Sequence, residues 1–116
     1  MLRDDAYFSD IFEAAKAIQR FTAGVSLASF KENEEKYEAV NRKFEIIGEA
    51  ARHLSPEGRK KFPQIPWALI TAMRNILIHD YDDVDLDVVW ETVQRDIPSL
   101  IAQLETYLKA NPPPQS

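Results

Sequence analysis

The sequence predicts an all-α fold, an antiparallel bundle of about four main helices with one short connecting helix. Apolar residues recur three or four positions apart along most of the 116 residues. No stretch alternates apolar and polar residues in the way that a half-buried strand does. Only three residues are glycine, and short connections between helices favour antiparallel neighbours.

The first half of the chain predicts two long helices and two short ones. A stripe of apolar residues with helical spacing predicts a helix from about Arg3 to Phe21, with Gly24 as its left-handed cap. Ser26 is suited to cap a short helical turn, after which a long helix runs through residues 37–51. Residues 55–61 begin with serine, proline and glutamate, which is the pattern of a short capped helix.

The second half predicts two further helices. Pro66 and Trp67 open the first, and five of its apolar side chains are expected to face inward: Leu69, Ile70, Met73, Ile76 and Leu77. Asp85 is expected to cap a final helix that runs through Leu108 with a kink at Pro98. Trp67 and Trp90 fall on core-facing positions and are interpreted as packing anchors.

Length and composition fit one domain, which we assign to residues 1–110. Residues 111–116 include three consecutive prolines and predict an extended, disordered tail. The absence of cysteine excludes disulfides and thiolate metal sites. The acidic N-terminus and the lack of an apolar run of about 18 residues predict a cytoplasmic protein without a signal peptide or membrane span.

The formal net charge of -5 argues against a protein that coats nucleic acid through a long-range positive field. A nucleic-acid site on this chain therefore has to be locally basic. Six residues are candidates for such a surface, although charge runs of this kind are usually solvated helix faces: Arg42, Lys43, Arg52, Arg59, Lys60 and Lys61. His53, at a predicted helix end, is interpreted as a partner of the helix dipole and not as a catalyst.

Residues 74–81 bring an arginine, an amide, a histidine and a tyrosine together where a helix is about to end. At about 100° per residue, Asn75 and His79 share one helix face, whereas Arg74 and His79 differ by about 140°. Two arrangements would bring Arg74 and His79 together. Either the helix unwinds near His79, or the arginine of one protomer meets the histidine of another across a two-fold axis.

This set of side chains suits metal-independent cleavage of RNA. Histidine titrates near neutral pH, so it can take the proton of a 2′-hydroxyl or protonate the leaving oxygen. Arginine can stabilise the charge of a phosphorane-like transition state. A structural interpretation is also open, with Arg74 paired to a local carboxylate, His79 at a helix C-terminus and Tyr81 in an interface. No histidine pair at helical spacing supports a metal site, and no cofactor is predicted.

The pattern Arg74-Asn75-xxx-His79-x-Tyr81 resembles the R-x4-6-H-x-Y signature of HEPN ribonucleases of the HepT type. An arginine and a histidine five residues apart arise often by chance, but this pair stands among further blocks that resemble the same family in the same order. The blocks cover most of the chain and are Ile46–Ala51, Leu54–Glu57, Ile65–Trp67, Met73–Asn75 and Val84–Trp90.

The resemblance implies a HEPN fold and a metal-independent endoribonuclease, the toxin of a HepT-type toxin–antitoxin pair. Arg74 and His79 would be its catalytic pair, with Asn75 as a helper and RNA bound in the cleft of a homodimer or a higher oligomer. A cognate minimal nucleotidyltransferase would be the antitoxin and would transfer AMP onto Tyr81, adding bulk and negative charge beside the site. Neither DNA nor a membrane is expected as a partner.

Five aspartates crowd the signature with negative charge that would repel an RNA backbone: Asp80, Asp82, Asp83, Asp85 and Asp87. Asp85 and Asp87 are interpreted as helix-start residues, whereas a pairing of Asp80 or Asp82 with Arg74 or with a lysine is left open. Two alternative functions stay open. One is a non-catalytic HEPN module that binds a nucleotidyltransferase or a nucleotide. The other is a structural homodimer whose interface is specified by Arg74 and Asn75.

Overall fold

The computed structural model describes residues 2–79 and 84–112, and it describes Leu2, Arg3 and His79 by their backbone alone. All regular secondary structure in these ranges is α-helical, which confirms the all-α prediction. None of these helices is both long and apolar enough to cross a membrane. They are α1 (Leu2–Thr22), α2 (Leu27–Glu32), α3 (Glu34–Arg52), α4 (Pro56–Lys60), α5 (Trp67–His79), α6 (Leu86–Arg95) and α7 (Ile97–Ala110).

Polar side chains begin the helices where the local sequence predicts them. Ser26 and Ser55 accept hydrogen bonds from backbone N–H groups three residues further on, at 3.1 and 3.0 Å. Asp85 caps α6 in the same way by accepting from the N–H of Asp87 at 2.9 Å. Gly24 follows α1 with a φ of 70°, the left-handed conformation expected of it.

The core forms around α3, which packs against both α1 and α5, while α1 also packs against α7. Several large apolar side chains of these helices are fully buried, among them Phe8, Ile18, Ile47 and Leu104. Trp67 is 8% exposed, and the ring of Trp90 lies 5.1 Å from that of Phe30 between centroids. Both tryptophans therefore pack as predicted.

The predicted final helix is divided into α6 and α7, which meet at Asp96. Pro98 stands in the first turn of α7. Proline has no backbone N–H, and its ring excludes a carbonyl group four residues earlier, so a continuous helix is disfavoured just before it. The predicted kink at Pro98 is confirmed, and it takes the form of a break two residues upstream.

The predicted inward face of α5 is wrong at two of its five positions. Leu77 is buried, and Ile70 and Met73 pack partly buried against the core. Leu69 and Ile76, in contrast, are 66% and 46% exposed. Residues seven apart share one side of a helix, so positions 70 and 77 take the core side while positions 69 and 76 take an adjacent side that no other described element covers.

Candidate active site

Arg74 lies where α5 crosses α3 at Gly48. A Cβ atom on Gly48 would collide with the Cβ of Arg74, and it would lie 2.8 Å from the Cγ of Arg74 and 3.2 Å from the carbonyl oxygen of Ile70. Non-bonded carbon atoms do not approach that closely without displacement of one of them. Glycine at position 48 therefore leaves the space in which the stem of Arg74 rests against α3.

The guanidinium group of Arg74 is held from two sides. Its Nη2 atom lies 2.8 Å from Oε2 of Glu49, and its Nη1 donates to Oδ1 of Asn75 at 2.9 Å. The Arg74 side chain is only 16% exposed, and its Nε is buried without a hydrogen-bond partner among the described residues. The structure thus brings together Arg74 and Asn75, two of the residues that the sequence singled out.

Glu49 is the centre of a charge cluster that also contains Arg52, His53 and Arg74. Its second carboxylate oxygen, Oε1, accepts a hydrogen bond from Nε2 of His53 at 3.1 Å and lies 3.9 Å from Nη2 of Arg52. The hydrogen bond from His53, followed by the positive charges of Arg52 and Arg74, lowers the pKa of Glu49 below its ordinary value. Glu49 is therefore ionised at neutral pH.

The sequence analysis missed the role of Glu49. The carboxylate stands 25 positions before Arg74, and local spacing identifies partners only within one helix. The available signal was the run Gly48-Glu49 in the block Ile46–Ala51, where a small residue precedes an acid on a long helix. The predicted position of His53 at a helix end is confirmed, since His53 is the C-cap residue that follows α3. Its ring also stacks on that of Tyr7, with centroids 5.4 Å apart.

The helix α5 stays α-helical as far as His79, so the backbone does not unwind between Arg74 and His79. At about 100° per residue, the two positions therefore stay about 140° apart around one helix. Tyr81, the predicted site of modification, lies outside the described residues, as do Asp80, Asp82 and Asp83. The roles of Tyr81 and of the His79 side chain stay predictions.

Comparison with known proteins shows the family of the chain. Residues 11–107 match the model of the family described as "Ribonuclease HepT-like". The chain belongs to this HepT-like ribonuclease family. It is 40% identical over 103 residues to "Probable ribonuclease HepT" of Thermococcus cleftensis, covering 89% of this chain and 94% of that protein. No solved structure matches the chain.

Two further relatives of the HepT-like chain carry RNase names. A protein of Methanocaldococcus jannaschii named "Putative RNase" is 38% identical over 100 residues, covering 86% of this chain and 92% of the relative. A protein of Caldanaerobacter subterraneus subsp. tengcongensis, also named "Putative RNase", is 34% identical over 103 residues, covering 89% and 92%. The likeness therefore extends over nearly the whole of each protein.

A groove of about 350 Å³ runs beside the charge cluster of the HepT-like chain, between α1, α3 and the end of α5. It is lined by Tyr7, Asp10, Arg42, Glu45, Ile46, Glu49, Ala50, His53 and Ile78. Its charges are mixed, with three carboxylates beside one arginine and one histidine. Arg42 reaches only to 3.9 Å from Glu45, so its exposed guanidinium is loosely held.

Four of the six predicted basic residues fall into two groups. Arg42 and Arg52 stand on α3 near the charge cluster, where they are exposed. Arg59 and Lys61 have packing contacts instead: Arg59 donates to the carbonyl of Ala51 at 3.1 Å, and Lys61 donates to the hydroxyl of Tyr107 at 3.0 Å. The positive surface nearest to the candidate site therefore comes from α3.

Of the five aspartates around the signature, the structure describes Asp85 and Asp87, and both have partners. Asp85 caps α6, and Asp87 pairs with Lys31 at 3.0 Å, in agreement with their interpretation as helix-start residues. Glu49 pairs with Arg74, and the predicted pairing of Asp80 or Asp82 lies outside the described residues. Within the described residues, no three histidine or acidic side chains are grouped so that they could hold a metal ion.

Proposed function

We propose that this HepT-like chain is the toxin of a toxin–antitoxin pair and an endoribonuclease that cleaves RNA without a metal ion. Arg74 and His79 are its catalytic pair, and Asn75 orients Arg74. The observation that carries the proposal is the fixed guanidinium of Arg74, five residues before His79 on one helix of a HepT-like chain. Such a preorganised cation acts on charge that develops in a transition state.

The proposed reaction uses the ribose 2′-hydroxyl as nucleophile. His79 takes its proton while the 2′-oxygen bonds to phosphorus, and the bond from phosphorus to the 5′-oxygen breaks as that oxygen takes a proton from water. Arg74 stabilises the negative charge of the phosphorane-like transition state. The products are a 2′,3′-cyclic phosphate and a 5′-hydroxyl end, and DNA, which lacks the 2′-hydroxyl, is not a substrate.

The active unit that we propose is a homodimer. Leu69, Ile76 and Val88, which are 66%, 46% and 53% exposed, line one apolar groove of about 320 Å³, and we call them the open apolar face. Two of these residues belong to α5, the helix that also carries Arg74 and His79. A second copy that covers this face would bring the α5 helices of two protomers together, and with them arginine and histidine side chains that one uninterrupted helix keeps apart.

We also propose that a cognate minimal nucleotidyltransferase neutralises this toxin by transferring AMP onto Tyr81. The transfer would join the tyrosine oxygen to the α-phosphorus of ATP and release pyrophosphate. The new phosphodiester carries a negative charge and a bulky nucleoside two residues from His79, where the phosphate of an RNA substrate has to bind. Neutralisation would therefore be both electrostatic and steric.

Cleavage of a mixed RNA in EDTA tests the ribonuclease proposal. Purified wild-type protein is expected to give fragments with 2′,3′-cyclic phosphate ends, and His79→Ala and Arg74→Ala are expected to reduce the rate by at least about 10²-fold. Mass spectrometry of each preparation shows whether Tyr81 already carries AMP. Unmodified wild-type protein that leaves RNA intact, or a His79→Ala variant that cleaves as fast as wild type, would contradict the proposal.

A non-catalytic HEPN module is the second candidate, and the three carboxylates of the groove favour it: Asp10, Glu45 and Glu49. These charges repel RNA phosphates and suit a basic protein surface or the amino groups of a nucleotide base. Under this alternative, wild type and His79→Ala would be equally inactive on RNA while both still bind a nucleotidyltransferase in a pull-down with the purified enzyme.

A further inference from the structure

We propose that Glu49 is the positioning residue of this site, a role that rests on the proposed catalytic function of Arg74. Glu49 holds one edge of the Arg74 guanidinium through the Nη2–Oε2 contact of 2.8 Å. Nothing in the arginine–histidine pattern of α5 points to this residue, because it belongs to α3.

Two neighbouring residues of α3 fix Arg74 in complementary ways. Gly48 leaves the space in which the Cβ and Cγ of Arg74 rest on the helix, and Glu49 then meets the guanidinium at the end of the same side chain. Asn75 accepts from the other terminal nitrogen, Nη1, at 2.9 Å. A long side chain that is 16% exposed and held at its stem and at both terminal nitrogens has one dominant orientation.

The charge around Glu49 keeps Arg74 useful for binding a phosphate group. A carboxylate that paired with Arg74 alone would cancel its positive charge towards the substrate. Here the other oxygen, Oε1, accepts a hydrogen bond from His53 and lies 3.9 Å from Arg52. Two arginines thus face one carboxylate, so the positive charge of Arg74 is not fully cancelled while its guanidinium stays fixed.

A purely structural role for Glu49 would look different in experiment. A residue that only ties α5 to α3 affects stability, and its loss leaves the turnover of the folded protein unchanged. A positioning residue affects the geometry of Arg74 in the transition state, so its loss lowers kcat while KM changes little.

The test compares Glu49→Gln with Glu105→Gln, which removes a similarly exposed carboxylate from an ion pair with Lys109 on α7, outside the groove. With an RNA oligonucleotide as substrate, we expect Glu49→Gln to lower kcat about 10-fold or more and to change KM by less than about 2-fold. Glu105→Gln should keep both constants. Equal kcat in the two variants, with circular dichroism showing both folded, would overturn the proposal.

A second measurement does not depend on activity. In side-chain NMR of ¹⁵N-labelled wild-type protein, the Nη protons of Arg74 should rotate and exchange more slowly than those of the exposed Arg42, and Glu49→Gln should remove the difference. Freely rotating Nη protons of Arg74 in wild type would overturn the proposal, even if Glu49→Gln failed to fold. If the Nη protons of Arg74 rotate slowly in a wild-type protein that cleaves no RNA, the pairing with Glu49 is supported but the proposed function is refuted. The positioning role of Glu49 is then refuted as well.

Discussion

Gly48 sets how closely α5 approaches α3, and its replacement by alanine separates two opposite effects. In a helix interior, alanine is favoured over glycine by about 1 kcal/mol, so helix propensity alone predicts a more stable variant. The added Cβ would instead collide with the Cβ of Arg74, an atom next to the backbone that cannot swing away. We therefore expect Gly48→Ala to lower the free energy of unfolding by about 1–3 kcal/mol in urea denaturation. A variant more stable than wild type would show that the helices do not cross so closely.

Single residues were predictable from the sequence when their partners are close along the chain. Ser26, Ser55 and Asp85 cap helices by bonding to N–H groups two or three residues away, and such short-range pairs follow from residue type and position. The pairing of Glu49 with Arg74 depends instead on the crossing of two helices, which only the fold determines. For that reason the arginine was found in the sequence and its carboxylate was not.

At the scale of elements, Asp4 ties α1 to the start of α4. Its buried carboxylate accepts hydrogen bonds from the backbone N–H of Ser55, at 3.0 Å, and from the Ser55 hydroxyl. Burial raises the pKa of Asp4, but the hydrogen bonds from Ser55 outweigh it and hold the pKa below its ordinary value. Because Ser55 also caps α4, one carboxylate orders the junction that follows α3.

This tie predicts an acid-sensitive contribution to stability. The folded-state pKa of Asp4 lies below the unfolded value of about 3.9, so its contribution is complete above that pH and is lost as the pH falls through the folded pKa. Asp4→Asn should lower the free energy of unfolding by about 1–3 kcal/mol at pH 7. Urea denaturation between pH 3 and 7 should show wild type and variant converging at the acid end. A constant difference across this range would contradict the assignment.

The limits of prediction at this scale are clearest in α5. Its existence and its opening at Trp67 followed from the apolar run after Pro66. The run is apolar on more than one side, however, and a period of 3.6 residues does not tell which side faces the core. Leu69 and Ile76 were assigned inward because of their spacing, whereas the packing of α5 on α3 selects Ile70 and Leu77.

For the whole molecule, the open apolar face and the uninterrupted α5 favour the same assembly. Leu69, Ile76 and Val88 leave apolar surface without a partner within the described chain, and covering it with a second copy removes that surface from water. The same dimer contact would bring together an arginine and a histidine of two protomers, whereas Arg74 and His79 of one helix lie about 140° apart. In such a dimer each of two sites takes its arginine from one protomer and its histidine from the other.

A mixed dimer tests this arrangement directly. Arg74→Ala with one affinity tag and His79→Ala with another are expressed together, and the heterodimer is isolated through both tags in turn. If each site combines residues of two protomers, one site of the heterodimer carries both substitutions and the other carries neither, so about half of the wild-type cleavage rate should return. If Arg74 and His79 act within one protomer, both sites carry a substitution and the heterodimer should be as inactive as either variant alone. If no protein is retained in the second affinity step, the chain does not form a dimer, and the proposal of a shared site is wrong.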